Sequence, residues 1–286
     1  EHNGVMRPLT QMLERGVTFD RIPMTVDDEL DLSAARALIR PNTRLMLITH
    51  ASNVSGTILP IAEAGELCRE YGIFLAVDAA QTAGHVSIDL SRENIDALCV
   101  PSHKGLRGPG GVGALFLSPA LAKSLDPLIT GGTGSDSSSE VTPRYMPDRF
   151  ESGTPNLPGI YGLRAALSEL QREGISARHA KEEALLVRFL AGLKQIEGIR
   201  VLGPQQIARK VGLVSVDFTA RQDNAVVSDR LATDYGILTR CGLHCAPNAH
   251  KTYGTFPQGS VRFSFNSTNA PEEIDFALDA LHKILF

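Results

Sequence analysis

The chain has 286 residues, 43% of them hydrophobic, with 28 basic and 32 acidic side chains and a formal net charge of −4. That balance leaves no basic surplus to draw in nucleic acid or an anionic membrane, and no apolar run is long enough to span a bilayer or fits a signal-peptide pattern. The 4 cysteines, Cys68, Cys99, Cys241 and Cys245, are too few for a disulfide scaffold of this size, so a reducing cytoplasm is the expected setting.

The length suits about two domains with a large core. Apolar, β-branched runs at 44–49, 73–77, 97–100 and 113–117 alternate with helical patterns such as 61–71, which follows Pro60 and stops at Gly72. The alternation predicts an α/β fold with a mainly parallel sheet and crossover helices. Residues 131–142, rich in Gly and Ser, read as a loop. Helices follow at 158–173 and 176–197, the second closed by Gly198. Strands at 212–218 and 260–265, a helix at 224–235 and an amphipathic helix at 271–285 predict a smaller α+β domain. The expected division is 1–174 and 175–286.

Two residues carry the first chemical signal. Lys104, in Ser102-His103-Lys104-Gly105, stands after the 97–100 run and before a glycine-rich stretch, where small neighbours leave an amine approachable and partly desolvated. Asp78 closes the 73–77 run, and a carboxylate at the end of a buried strand can keep a pyridine nitrogen protonated. Singly, Lys104 reads as a solvated lysine and Asp78 as a helix cap. Together they fit the two anchors of pyridoxal 5′-phosphate (PLP).

With these motifs in place the sequence resembles the class V aminotransferase group of fold type I PLP enzymes, and within it the cysteine desulfurases and selenocysteine lyases. The resemblance runs through Glu1-His2-Asn3, His50-Ala51-Ser52-Asn53-Val54-Ser55-Gly56, Val77-Asp78-Ala79-Ala80-Gln81, Ser102-His103-Lys104 and Arg149-Phe150-Glu151-Ser152-Gly153-Thr154. It continues through Arg240-Cys241-Gly242-Leu243-His244-Cys245-Ala246-Pro247 and Val261-Arg262-Phe263-Ser264. It implies a PLP-binding large domain whose leading segment, bearing part of the phosphate cradle, would precede Glu1. Two possibilities stay open: the sequence is an excerpt or processed form, or it is a truncated protein with impaired PLP affinity.

The resemblance also implies roles. Lys104 would hold the PLP aldehyde and shuttle a proton at the substrate α-carbon. Asp78 would pair with the ring nitrogen, Gln81 with the phenolic oxygen, and His2 would stack on the ring. Asn53 would lie near the cofactor oxygen and the substrate, or serve as a turn residue. Family members place Ser or Thr three residues before the lysine; here Pro101 stands there, so the phosphate falls to Ser102 and His103. Thr133, in Gly132-Thr133-Gly134, would reach a neighbouring subunit's site and so implies a homodimer; a surface loop is the competing reading. Arg262 would take the substrate carboxylate in a bidentate fork, with Arg240 ordering the same loop.

Cys245 matches the desulfurase nucleophile, which takes sulfur from cysteine as a persulfide, leaves alanine and implies a sulfur-acceptor protein. Its competing reading is a small buried residue. His244 would either lower the Cys245 pKa or simply flank the loop. Two rivals accompany this reading: another class V aminotransferase or lyase, which needs no Cys245, and a non-catalytic metal-binding protein using Cys241, His244, Cys245 and His250, a set too crowded for a tetrahedral zinc site. No metal is expected.

Overall fold

A computed structural model describes residues 1–25 and 28–286. In chain order the elements are α1 (Asn3–Met12), α2 (Leu32–Leu38), β1 (Leu45–Thr49), α3 (Ile61–Tyr71), β2 (Phe74–Asp78), β3 (Ala97–Pro101), β4 (Gly113–Leu117), α4 (Pro119–Ser124), α5 (Leu157–Glu173) and α6 (Ile175–Leu193). There follow β5 (Arg200–Val201), β6 (Leu213–Asp217), α7 (Asn224–Tyr235), β7 (Arg240–Gly242), α8 (Pro247–Thr252), β8 (Ser260–Ser264) and α9 (Pro271–Leu285).

The first sheet has the order β1-β2-β3-β4. β1, β2 and β3 are parallel, as the apolar runs predict, and α3 makes the crossover between β1 and β2. α3 buries Ile61, Ala64, Leu67 and Cys68 and ends at Gly72, whose φ of 64° reverses the chain. β4 runs antiparallel to β3 instead of extending the parallel set. The 102–112 connection is too short for a crossover helix, so the chain turns back on itself and leaves Lys104 in the hairpin loop.

The second sheet, β5-β6-β8-β7, is antiparallel throughout. Its core is apolar side chains of α6, α7 and α9 packed on β6 and β8. Phe189 of α6 is fully buried there, its ring centroid 4.9 Å from Phe263 and 5.0 Å from Phe265. A separate core fills the first sheet around Leu75, Val77 and Ile48.

The loop after β1 joins the two sheets. Ala51 packs on Val211 and Leu213, and Val54 on Leu202 and Ala246. Ser215 donates to the Val54 carbonyl at 2.6 Å, and the buried Lys210 amine donates to that of Ser55. Asn53 is thereby held against the second sheet.

Helices at 61–71, 224–235 and 271–285 match the sequence reading, whereas the helix expected at 176–197 ends at Leu193 and continues as a turn. α1, α2, α4 and α8, and strands β5 and β7, are additions to it. Among the described residues no helix is long and apolar enough to cross a membrane.

Truncating Phe189→Ala removes the centre of the second core next to the strand that carries Arg262. The expected cost is about 3–5 kcal/mol of unfolding free energy, read by denaturant titration. A loss within error of zero would show that this cluster does not support β8.

Candidate active site

The parallel pairing of β2 with β3 sets Asp78 opposite Cys99, and the Ala79 N–H donates to the Cys99 carbonyl at 3.0 Å. Both strands then end. Asp78 does not cap a helix: its Oδ1 accepts the Ala80 N–H at 2.9 Å and a turn runs over 80–85, while its other oxygen has no hydrogen bond among the described residues. On the β3 side Lys104 sits in a tight loop closed by Arg107 N–H to the Lys104 carbonyl and Gly108 N–H to the Ser102 carbonyl, each 2.8 Å.

The two turns touch through glycines. A Cβ on Gly84, at φ +84°, would lie 2.6 Å from the Gly105 carbonyl carbon, so only a bare backbone allows the approach. Asp78 and Lys104 are thus held in one neighbourhood. The Lys104 side chain is accessible, yet the walls around it strip away enough water to pull its pKa below the ordinary lysine value; Asp78 opposes that shift, and Arg262 and Arg240 add to it.

His2 closes the neighbourhood from the chain start. Its Nδ1 accepts the Gly4 N–H at 2.9 Å, which places the ring proton on Nε2. Burial, then the Lys104 charge, lowers its pKa, with Asp78 opposing. Glu1 fixes this end by accepting the Thr49 N–H at 3.1 Å, at the end of β1. Nothing in the sequence marked that tie.

Arg262 and Arg240 face each other across β8 and β7. Like charges directly opposite repel. Among the described residues the charges acting on Arg262 are those of Arg240 and Cys245, with no carboxylate among them, and its buried Nε has no hydrogen-bond partner. Its Nη1 donates to the Asn53 carbonyl at 3.0 Å. Arg240 Nη2 lies 3.5 Å from the Cys245 sulfur. Two guanidinium groups set side by side are an arrangement that a carboxylate would stabilise.

Cys245 is exposed at the tip of a strained turn in which His244 and Cys245 both adopt left-handed backbone, φ 50° and 59°. Three contacts hold it: Asn53 Nδ2 donates to the His244 carbonyl at 2.5 Å, Asn3 N–H to the Cys245 carbonyl at 2.7 Å, and His244 Nε2 meets Ser260 Oγ at 3.1 Å. The exposed thiol sets aside the small-buried-residue reading. His244 does not supply a cation to the thiol, because burial pushes its pKa down to about 3 and keeps the ring neutral. Arg240 is the neighbouring charge.

The remaining candidates divide. Asn53 is buried and acts as a clamp between the loop after β1, Arg262 and the Cys245 turn. Gln81 is half-buried in the turn that follows Asp78. Ser102 is sealed inside the Lys104 loop, its hydroxyl beneath Gly108 and without a partner among the described residues, which leaves exposed His103 as the side chain open to a phosphate. Among the described residues Thr133 makes no hydrogen bond to the Lys104 loop; its hydroxyl meets Ser135 Oγ at 3.0 Å. For the zinc reading, no group of three or more His, Cys, Asp or Glu among the described residues could hold a metal ion, and His250 is engaged with Thr255 at 2.7 Å. A cavity of about 920 Å³ runs along the β1 edge past His2, Asn53 and Tyr253, but Lys104, Asp78, Arg262 and Cys245 do not line it.

The class-V aminotransferase family model matches residues 1–276. The chain belongs to this family. A probable cysteine desulfurase of Pyrococcus abyssi is 31% identical over 290 residues, spanning 100% of this chain and 70% of the relative; one of Vibrio cholerae is 32% identical over 286 residues, spanning 99% and 69%. Among solved structures, the apo cysteine desulfurase of Thermococcus onnurineus NA1 superposes with a TM-score of 0.91 at 30% identity, covering 100% of this chain and 70% of that one. The cysteine desulfurase CsdA of Escherichia coli gives 0.91 at 27%, with 100% and 71% covered.

Class V enzymes are PLP-dependent, with the fold type I architecture seen here. The residues fit the group: an accessible amine, a carboxylate with an unbonded oxygen beside it, and a neutral imidazole over the same neighbourhood.

Buried neutral histidines give the site a pH limit. Between its unfolded value of 6.5 and its folded value of about 3, His244 takes up a proton only when the chain unfolds, so stability is full above 6.5 and is lost as pH falls. His50, pushed down to about 4 by burial, adds the same sign. Each contributes a slope of about 1.4 kcal/mol per pH unit in that window. Thermal unfolding followed from about pH 7 to about pH 5 is expected to show a falling midpoint, less steep in His244→Asn; an identical slope in the variant would contradict a neutral buried His244.

Proposed function

We propose that the chain is a cysteine desulfurase that binds L-cysteine, releases L-alanine and keeps the sulfur as a persulfide on Cys245. The observation that carries this reading is the exposed Cys245 thiol, 3.5 Å from Arg240 and in the field of Arg262, the two arginines whose charges also act on Lys104. The relatives' description as cysteine desulfurases supports it.

Lys104, Asp78, Gln81, His2, Asn53, Ser102 and His103 are the residues assigned to hold PLP, with Ser102 the poorest placed. When bound, PLP supplies an electron sink that acidifies the substrate α-carbon. Arg262 and Arg240 bind the substrate carboxylate, relieving their mutual repulsion. Lys104 carries the proton at the α-carbon. The Cys245 thiolate attacks the substrate sulfur: an S–S bond forms on the enzyme as the substrate C–S bond breaks, and the carbon fragment gains a proton to become alanine. Cysteine plus thiol gives alanine plus persulfide, so the atoms balance.

The same reading divides the chain at 174 and 175, where Gly174 separates α5 from α6. It also makes the enzyme a homodimer in which Thr133 serves the neighbouring site. Support comes from the exposed apolar Leu128, Ile129 and Val141 that flank it in sequence. A reducing cytoplasm and a sulfur-acceptor protein complete the setting, in keeping with four free cysteines.

Replacing Cys245→Ala is the direct test. Alanine formation from cysteine is expected to fall about 100-fold or more while the visible cofactor band and cysteine binding persist. Alanine released at the parental rate would assign the sulfur chemistry elsewhere and favour another class V activity.

A further inference from the structure

Arg178, on α6, is among the largest fully buried side chains, at 1% exposure. Its Nη1 donates to the Gly105 carbonyl at 2.7 Å and lies 3.5 Å from that of Gly84. These carbonyls belong to two different turns: Gly84 to the one that follows Asp78, and Gly105 to the one that follows Lys104. One planar guanidinium spans both.

The other edge of the guanidinium is anchored. Nε and Nη2 donate to Glu173 Oε2 at 3.0 and 2.9 Å, at the end of α5. Glu173 also accepts the Ser267 hydroxyl at 2.8 Å, and Arg107 donates to Ser267 at 2.7 Å from the Lys104 loop itself. Ser267 N–H in turn donates to the buried Glu182 carboxylate at 3.3 Å, whose second oxygen meets His85 Nδ1 at 2.7 Å. The His85 ring closes against Gly105, where a side chain would collide with it. Every charged group in this network is paired, and each strand of it ends on the Lys104 loop, the Asp78 turn or the segment just past β8.

We propose that Arg178 is a positioning residue for Lys104: by bridging the Gly84 and Gly105 carbonyls it holds the amine in register with Asp78, and through Glu173 and Ser267 it couples that register to the strand bearing Arg262. The proposal rests on Lys104 being the cofactor-bearing amine. It acts through placement, because the charges felt by the Lys104 amine are those of Asp78, Arg262, Arg240 and His2, and Arg178 is not one of them.

The test labels lysines of the intact protein, freed of cofactor, with acetic anhydride pulses across a pH series and follows the Lys104 peptide by mass spectrometry. In Arg178→Met the midpoint of the Lys104 rate profile is expected to move up towards that of an ordinary lysine, lowering its rate at pH 8 about threefold relative to its own plateau. Amide hydrogen exchange over 105–108 is expected to quicken about tenfold, with exchange in β6 unchanged. Arg188→Met, on the same helix as Arg178, breaks an exposed ion pair with Asp275 of α9; it serves as the control and is expected to leave both readings as they were.

If Arg178→Met does not fold by circular dichroism, Glu173→Gln carries the same test, and Ser267→Ala, which removes only one hydroxyl, carries it if neither folds. A parental midpoint and parental exchange in the folded variant would overturn the proposal. Because the label reads a free amine, the result does not depend on which amino acid is the substrate or on persulfide formation at Cys245.

Discussion

Parallel pairing of β2 with β3 brings two chemically opposite groups to the same edge of one sheet. Asp78 lies in register with Cys99, both strands stop within a few residues, and the turns that follow meet backbone to backbone at Gly84 and Gly105. A carboxylate and an amine separated by 26 positions in sequence thereby share one neighbourhood, without either being buried as an unpaired charge. Side chains at these glycines would force the turns apart. The proximity is therefore built by backbone geometry and then filled by chemistry.

The second sheet adds what the first cannot. β7 and β8 present two guanidinium groups opposite each other, an arrangement that lowers its energy when an anion bridges them. The same strands frame the left-handed turn that projects Cys245, and Asn53 reaches across from the first sheet to fix that turn and Arg262 together. A neutral, buried His244 makes this turn firm by packing and hydrogen bonding instead of by charge. The roles proposed for Arg262, Cys245 and Lys104 would thus all depend on a joint between sheets.

What could be read from the chain alone follows from where the physical signal resides. Strand-ending Asp78 and loop-borne Lys104 announce themselves because apolar runs stop at a charged residue, and α3, α7 and α9 because apolar periodicity meets Pro or Gly punctuation. β4 turns antiparallel because a connection shorter than a crossover permits nothing else, a length argument available in the sequence. Asn53 was legible as a turn residue near the site, but its clamp on His244, 191 positions away, is a tertiary fact. Arg178 reads as one more charge on a long helix; only the partners at Gly84, Gly105 and Glu173 reveal it as buried. Family membership carries the cofactor, while the substrate reading depends on Cys245 and its two arginines.

The most direct measurement is borohydride reduction of the cofactor-loaded protein followed by peptide mass spectrometry. A pyridoxyl phosphate adduct confined to Lys104, and lost in Lys104→Ala, is the expected result. An adduct on a different lysine, or none on a protein that shows the visible cofactor band, would contradict the convergence of Asp78 and Lys104 on a single ring.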